Sequence, residues 1–429
     1  MERNRLQLGY AEADITPLTP KKLVGFYRED SLSKGVAAPL TVQAAVWKSD
    51  DICCLITIDN IGFAKEPSDL LRERVGNLLG VSAEKVMLCF SHTHAAPDAD
   101  EDRGYFEEIS RKTTVCVSLA AENMRPVSAG WDNGEAKIGV NRRRVSKDTD
   151  DRVGILKLCD AGTGRPELLI LRVTAHGNAL KRDNYMISPD YFGSIRKAVA
   201  QRFRCPVMVV QGAAGNIAPR YFRSEETPAD ARSEQCVRSS MALEDMAKLV
   251  AESVGAKFDS IRQNRELTVQ MYSRHIDLIS DVPSEDEALR VAKEAEEMCG
   301  IKDSGWPEKV AELHKAGVHE QREDVEMQFF SVGGWCMCGG PYEFMVGFAL
   351  EAKRILHDEF FYLNGYTNGC LLYFPTEEEF DAGGYEVCWS MLIYYRYLNR
   401  VWPFRRDEAS RLVRFVTECR RRSSESDGR

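Results

Sequence analysis

Short apolar runs and amphipathic stretches alternate along the first half of the chain. Three runs rich in branched residues end in polar residues or glycine, and we predict them to be buried strands: Val86–Phe90, Leu168–Thr174 and Val207–Val210. Apolar positions at helical spacing predict helices beside them: Glu66–Leu79, Tyr105–Asn123 and Asp190–Arg202, the last capped by Ser188 or Asp190. Because strands and helices alternate, the pattern predicts a layered α/β domain built on a mixed sheet.

Two later segments depart from this pattern, and we predict them to be helical insertions. Arg223–Ala256 is polar at first and then helical, and Pro283–Glu326 is highly charged with apolar residues at helical spacing. Asp407–Arg429 predicts a basic amphipathic helix whose serine-rich tail frays. The sequence shows no internal repeat. We therefore predict one catalytic domain over residues 1–404, with insertions at about 223–256 and 283–326, and a terminal helix and tail over 405–429.

The charge balance argues against two classes of partner. With 57 basic and 66 acidic residues the net charge is −9, which would repel nucleic acid and anionic membrane surfaces. No apolar run is long enough to span a bilayer, and the N-terminus has no apolar core of signal-peptide length. We therefore expect the thirteen cysteines to be reduced thiols and the protein to be cytoplasmic. The oligomeric state is left open.

Histidine is scarce, and three of the seven histidines follow predicted strands. His92 and His94 come after one apolar run, and His176 comes directly after another. In a strand, residues i and i+2 project to one face about 7 Å apart, which suits two ligands of one metal or a ligand beside an acid–base group. The alternative for each histidine is a structural side chain that hydrogen-bonds to the backbone. Since functional side chains collect where strands end, the three are predicted neighbours.

The segment around the paired histidines resembles a known family. Ser91-His92-Thr93-His94-Ala95-Ala96-Pro97 is similar to the SHTHSGP motif of the neutral ceramidases, which are zinc-dependent amidases that split ceramide. Further segments resemble that family's GxxxxDITxP, GxNR, SxDxxG, QGxAGDVSP, PGEF and YxTT…RYE elements in the same order: Gly9–Pro17, Gly139–Arg142, His176 with Ile187–Gly193, Gln211–Pro219, Pro341–Phe344, and Tyr373–Thr376 with Gly384–Glu386. The resemblance implies a neutral ceramidase-like fold and a zinc-dependent amidohydrolase.

The resemblance also implies a role for each matching residue. It assigns one zinc ion per chain to four ligands, His92, His176, Glu343 and Tyr373. His94 would be the acid–base residue beside the metal, Tyr385 would stabilise the oxyanion, and Arg142 would support either the substrate or the oxyanion. These residue types suit amide hydrolysis, because zinc acidifies water while phenol and guanidinium groups stabilise the charge that develops on the carbonyl.

The departures from the family motifs concern the substrate. The resemblance implies substrate contacts at Asn141, Asn216 and Ala218, but the last two stand where the family has aspartate and serine. Losing the serine hydroxyl argues against ceramide itself. We expect this protein to have no counterpart of the family's C-terminal immunoglobulin-like domain. We therefore expect a small-molecule or lipid-like N-acyl amide as substrate.

Three functions compete at this point. The first is a zinc hydrolase that cleaves the amide bond of an N-acyl compound. The second uses the same zinc site on an ester or lactone, or in acyl transfer or ring closure, and is motivated by the altered Asn216–Ala218 loop. The third is a non-catalytic binding protein on the same fold.

Overall fold

The strands of the protein form two β-sheets and three short two-stranded ladders. The structure is a computed structural model that describes residues 6–221, 239–302 and 305–427. Within these ranges the strands are β1 (Gln7–Asp14), β2 (Gly35–Val36), β3 (Thr41–Lys48), β4 (Ile52–Ile58), β5 (Val86–Phe90), β6 (Arg125–Glu135), β7 (Gly139–Asn141), β8 (Arg152–Asp160), β9 (Pro166–Val173), β10 (Met186–Ile187), β11 (Val207–Gln211), β12 (Ile217–Pro219), β13 (Val269–Asp281), β14 (Glu320–Val332), β15 (Trp335–Gly339), β16 (Glu343–Phe344), β17 (Phe361–Asn364) and β18 (Tyr373–Phe374). The helices are α1 (Lys65–Leu79), α2 (Arg103–Glu122), α3 (Asp190–Phe203), α4 (Ser240–Lys257), α5 (Glu285–Cys299), α6 (Trp306–Lys315), α7 (Val346–Leu356), α8 (Met391–Tyr394) and α9 (Glu408–Asp427), and a π-helical turn covers Tyr385–Trp389.

The larger sheet has eight strands in the order β11-β9-β8-β6-β1-β3-β4-β5, and it consists of two similar halves. In each half three antiparallel strands are followed by a helix and a parallel edge strand: β1-β3-β4-α1-β5 and β6-β8-β9-α3-β11. A parallel neighbour requires a crossover connection, which explains the position of α1 and α3. Among the described strands, the ladder between the halves consists of Gln7 and Leu8 of β1 paired with Pro126 and Arg125 of β6.

Each half of the sheet is covered by its own helices. Apolar residues of α1 and α2 pack on the first half, and those of α3 and α4 pack on the second. The opposite faces of both halves contribute to a shared core with the smaller sheet, β13-β14-β15-β17, in which Trp47, Leu156 and Phe330 are fully buried. Helices α7 and α9 cover the other face of the smaller sheet. The predicted layered α/β architecture is therefore confirmed.

The strands predicted from apolar runs are present as β5, β9 and β11, and the three predicted helices are α1, α2 and α3. The sequence also predicts a helical stretch over Glu343–Leu356, and this prediction is wrong at its start. Glu343 lies in β16, and α7 begins at Val346. The reason is non-local: β16 forms a parallel ladder with β18, and Glu343 N–H donates to the carbonyl of Leu372 at 2.9 Å.

The predicted insertions are helical only in part. Pro283–Glu326 contains α5 and α6, but its end belongs to β14, which pairs with β13 along thirteen residues. Of Arg223–Ala256, residues 223–238 lie outside the described ranges and the remainder falls in α4. The terminal helix begins at Glu408. The division at residue 404 stays a prediction. Among the described helices, none is long and apolar enough to cross a membrane.

Candidate metal centre

Three imidazole rings converge where strands of the two half-sheets end. The Nε2 atom of His176 lies 3.1 Å from the Nε2 atoms of both His92 and His94, and the latter two are 3.3 Å apart. His92 and His94 follow β5, and His176 follows β9. All three side chains are buried.

The opposite nitrogen of each ring faces a backbone carbonyl. The Nδ1 atoms of His92, His94 and His176 lie 2.6, 3.0 and 3.4 Å from the carbonyl oxygens of Ile61, Gly25 and Ala214 respectively. A carbonyl only accepts, so each Nδ1 carries the proton and each Nε2 presents a lone pair. Three lone pairs at this distance repel one another unless a cation lies between them. This pattern of backbone partners is typical of histidine ligands.

The geometry fits a zinc ion. Ligand nitrogens about 2.0–2.1 Å from zinc in a tetrahedral arrangement lie about 3.3 Å apart, which matches the observed Nε2 spacing. Burial, together with the neighbouring His92 ring, holds the pKa of His94 and His176 well below the ordinary value, so both rings are neutral, as ligands must be. The donor set therefore fits a resident zinc ion.

The histidine pair does not project from a strand as expected. β5 ends at Phe90, and His92 adopts a positive φ of 57°, so the chain has left the sheet before the first imidazole. His94 N–H then donates to the carbonyl of Gly177 at 3.1 Å, which joins the two histidine segments. A Cβ atom at Gly177 would lie 2.5 Å from the carbonyl oxygen of His92, so only glycine permits this approach.

Glu343 and Tyr373 reach the same place from the second half of the chain. They are register partners in the β16–β18 ladder, so their side chains lie next to each other. Glu343 Oε2 is 3.4 Å from His92 Nε2. The ring of Tyr373 is stacked on His176 with centroids 6.5 Å apart.

Arg142 and Tyr385 complete the group. Nη2 of Arg142 donates to the carbonyl of Gly215 at 2.7 Å and lies 3.4 Å from the Tyr373 hydroxyl. The Nε atom of Arg142 lies 2.9 Å from Oε1 of Glu386. The Tyr385 ring centroid is 5.8 Å from that of Tyr373. Burial and the Glu343 carboxylate raise the pKa of both tyrosines above the ordinary value, so both phenols remain hydrogen-bond donors.

The three residues expected to bind substrate have partners within the protein. The amide of Asn141 donates to the carbonyl of Asp148 at 3.1 Å, and the Asn216 side-chain oxygen accepts from Val346 N–H at 2.8 Å. Ala218 is fully buried in the β7–β12 ladder. Substrate contact by these residues stays a prediction.

Sequence reasoning missed several residues of the site. The hairpin around Gly25 touches His94 three times: through the Gly25 carbonyl, through the Phe26 ring at a centroid distance of 4.7 Å, and through Arg28, whose guanidinium donates to the His94 carbonyl at 2.9 Å. Tyr366 lies beneath the imidazoles, and Cys370 Sγ is 3.6 Å from His92 Nδ1. No local pattern marks these residues, since each contact joins distant segments.

Two solved structures have a fold similar to that of this chain. Neutral ceramidase from Pseudomonas aeruginosa matches with a TM-score of 0.69 at 16% identity, covering 96% of this chain and 75% of that chain. A ceramidase complexed with C2 matches with a TM-score of 0.68 at 16% identity, covering 89% and 71% of the respective chains. A scan against protein-family models and a search of curated proteins give no match. The chain therefore has a neutral ceramidase-like fold.

Proposed function

We propose that this protein is a zinc-dependent hydrolase that cleaves the amide bond of an N-acyl compound. The observation that carries the proposal is the triangle of Nε2 atoms 3.1–3.3 Å apart, each paired through Nδ1 with a backbone carbonyl. The similarity of the fold to those of solved ceramidases also supports the hydrolysis of an amide.

We further propose His92, His94 and His176 as the zinc ligands. The resemblance assigned His94 to acid–base work and placed both Glu343 and Tyr373 among the ligands. The Nε2 spacing instead makes His94 equivalent to the other two imidazoles, and the Tyr373 hydroxyl lies 3.4 Å from Nη2 of Arg142. Three histidines leave the open position that a catalytic zinc ion requires.

Each remaining polar group then has a task. A zinc ion held by the three histidines would supply Lewis acidity, which lowers the pKa of water and polarises a carbonyl. Glu343 takes a proton from the attacking water at Oε2 and returns it to the amine nitrogen as the C–N bond breaks. Tyr373, Tyr385 and Arg142 donate hydrogen bonds to the carbonyl oxygen as it gains negative charge.

The substrate we propose is a lipid-like or small N-acyl amide other than ceramide. Ala218 offers no hydroxyl and is fully buried, so it supplies no polar contact to a headgroup. Amides and matched esters of one acyl series, tested side by side, decide the reaction class. We expect turnover of amides to depend on zinc. Esters cleaved in preference to amides would favour the alternative reaction, and inactivity on both panels would contradict hydrolysis.

Metal content tests the ligand assignment. We expect the wild-type protein to hold about one zinc ion per chain, as one tetrahedral site requires. His94→Ala and His176→Ala should lose the metal, whereas Tyr373→Phe should keep it. His275→Ala is the matched control, because this histidine is half exposed on β13 and pairs with Asp324 at 2.9 Å. Retained zinc in His94→Ala, with loss in Tyr373→Phe, would instead support the roles implied by the resemblance.

The oxyanion donors are tested by turnover at unchanged metal content. Removing one preorganised donor costs about 10²–10³-fold in kcat. We expect Tyr385→Phe to lower kcat by about that factor while zinc content stays at the wild-type value. A fall in zinc content parallel to activity would show that Tyr385 acts on the metal site instead.

A further inference from the structure

A fully buried tyrosine lies directly beneath the imidazoles and has no part in the mechanism above. The Tyr366 hydroxyl is 3.3 Å from Glu343 Oε2 and 3.4 Å from His176 Nδ1. Its ring packs against His92 with centroids 4.4 Å apart. One phenol thus contacts a carboxylate and two of the three imidazoles.

The chemistry of these neighbours fixes the direction of the hydrogen bonds. An ionised carboxylate can only accept, so the Tyr366 hydroxyl must donate its single proton to Glu343. The same oxygen can then only accept from His176, which places the proton on Nδ1 of that ring. This is the tautomer that leaves Nε2 free to bind metal.

The backbone of Tyr366 is held in an unfavourable conformation that brings its ring to this position. Its φ is +54°, a region that a bulky side chain rarely adopts. Two backbone hydrogen bonds maintain it: Tyr366 N–H donates to the Tyr342 carbonyl at 3.1 Å, and Phe90 N–H donates to the Tyr366 carbonyl at 3.0 Å. The second bond ties the tyrosine to the end of β5, directly before the histidine pair. Strain of this kind is concentrated at functional sites.

We propose that Tyr366 is a positioning residue for the metal centre. Its hydroxyl group orients the Glu343 carboxylate and, together with the Ala214 carbonyl, holds the Nδ1 proton of His176. This inference rests on the proposed zinc-dependent function. It goes beyond that function by adding a residue that contacts neither the metal nor the substrate.

The zinc affinity, measured by competition with a chelator, tests this role without relying on catalytic activity. Tyr366→Phe keeps the ring and removes the hydroxyl. Losing an outer partner of a metal ligand typically costs about 10–100-fold in metal affinity, and we expect a loss in that range. Tyr105→Phe is the matched control, because this buried tyrosine donates to the Ile15 carbonyl at 3.1 Å in another part of the core. Its zinc affinity should equal that of the wild type.

Unfolding of the zinc-free proteins shows whether the substitution merely weakens the core. We expect the metal-free Tyr366→Phe and Tyr105→Phe proteins to unfold at similar denaturant concentrations. A double-mutant cycle with Glu343→Gln adds a second measurement: the two substitutions should be strongly non-additive in zinc affinity.

The outcomes separate the two proposals. If the wild type binds zinc and Tyr366→Phe binds it equally well, the positioning role is overturned while the hydrolase proposal stands. Additive effects in the double-mutant cycle, or a zinc-free Tyr366→Phe protein that is unfolded, would also overturn it in favour of a packing role. If the wild type itself binds no zinc, both proposals fail.

Discussion

The carboxylate of Asp150 lies between two guanidinium groups in the interior. Arg172 Nη1 is 2.7 Å from Asp150 Oδ2, and Arg152 Nε is 2.8 Å from Oδ1. Burial alone would raise the pKa of Asp150, but the charges and hydrogen bonds of the two arginines outweigh it and hold that pKa well below the ordinary value. Arg172 is fully buried and depends on this carboxylate for its charge balance.

Replacing this carboxylate should be costly near neutral pH. Asp150→Asn leaves the Arg172 charge buried without a partner, and we expect the free energy of unfolding at pH 7 to fall by about 3–5 kcal/mol. Urea unfolding measures this change. Asp281→Asn is the control, because its pair with Arg405 is exposed at the surface and should contribute at most about 1 kcal/mol.

The effect should also depend on pH with a definite sign. A carboxylate whose pKa is lower in the folded state contributes stability above its unfolded pKa of about 3.9, and that stability is lost as the pH falls through the folded value. The difference between wild type and Asp150→Asn should therefore be constant from pH 5 to 8 and shrink below about pH 4. A constant difference at all pH values would mean that packing, rather than charge, accounts for it.

Residues of the site differ in how far the sequence alone could identify them. His92, His94 and His176 each follow an apolar run, so the sequence predicted that the three side chains lie close together at the ends of strands. Tyr366 follows β17 with no pattern that distinguishes it from an ordinary core tyrosine. The role proposed for Tyr366 depends on a positive φ and on two backbone hydrogen bonds to segments far away in the chain, and no short stretch of sequence contains this information.

At the scale of elements, the helical pair α5–α6 supports the segment that contains Tyr385. Trp306 of α6 is fully buried, donates its indole N–H to the Val401 carbonyl at 2.8 Å and stacks on Trp402. Leu392 belongs to the same apolar cluster, and Cys388 of the π-helical turn packs against it. The insertion is highly charged, yet its apolar side packs against residues 388–402.

Truncating this contact should reduce catalysis without removing zinc. Trp306→Ala leaves a cavity in a cluster that holds residues 385–402, and large-to-small changes of this kind cost about 3–5 kcal/mol. We expect kcat to fall because Tyr385 is less well ordered, while zinc content per folded chain is unchanged. Leu289→Ala on the exposed side of α5 should leave both unaltered. Unchanged kcat in a folded Trp306→Ala protein would mean that the segment orders Tyr385 without the helices.

In the whole molecule, one arrangement of strands and helices occurs twice. The two half-sheets share their order of elements, yet the sequence reveals no repeat. The reason is that each half needs only apolar residues at equivalent buried positions, and many side chains satisfy that requirement. The histidines break the symmetry, because the pair follows the edge strand of one half and His176 follows an inner strand of the other.

Zinc should stabilise the entire fold because its proposed ligands come from both halves. A ligand that binds only the folded state adds about 2.7 kcal/mol at a free concentration 100-fold above its Kd. We expect the Tm to rise with zinc and to fall again with a chelator, as thermal unfolding would record. His92→Ala should show no zinc-dependent shift, and His275→Ala should respond as the wild type does.

The ladder between β16 and β18 has a consequence for how this protein can change. Glu343 and Tyr373 are held side by side by backbone pairing, so their separation does not depend on the chain between them. That intervening chain, which includes α7 and β17, could grow or shrink in surface turns without displacing either side chain. A one-residue deletion inside either short strand, in contrast, would rotate a functional group to the opposite face. In related proteins, insertions and deletions should therefore occur between β16 and β18 and never within either strand.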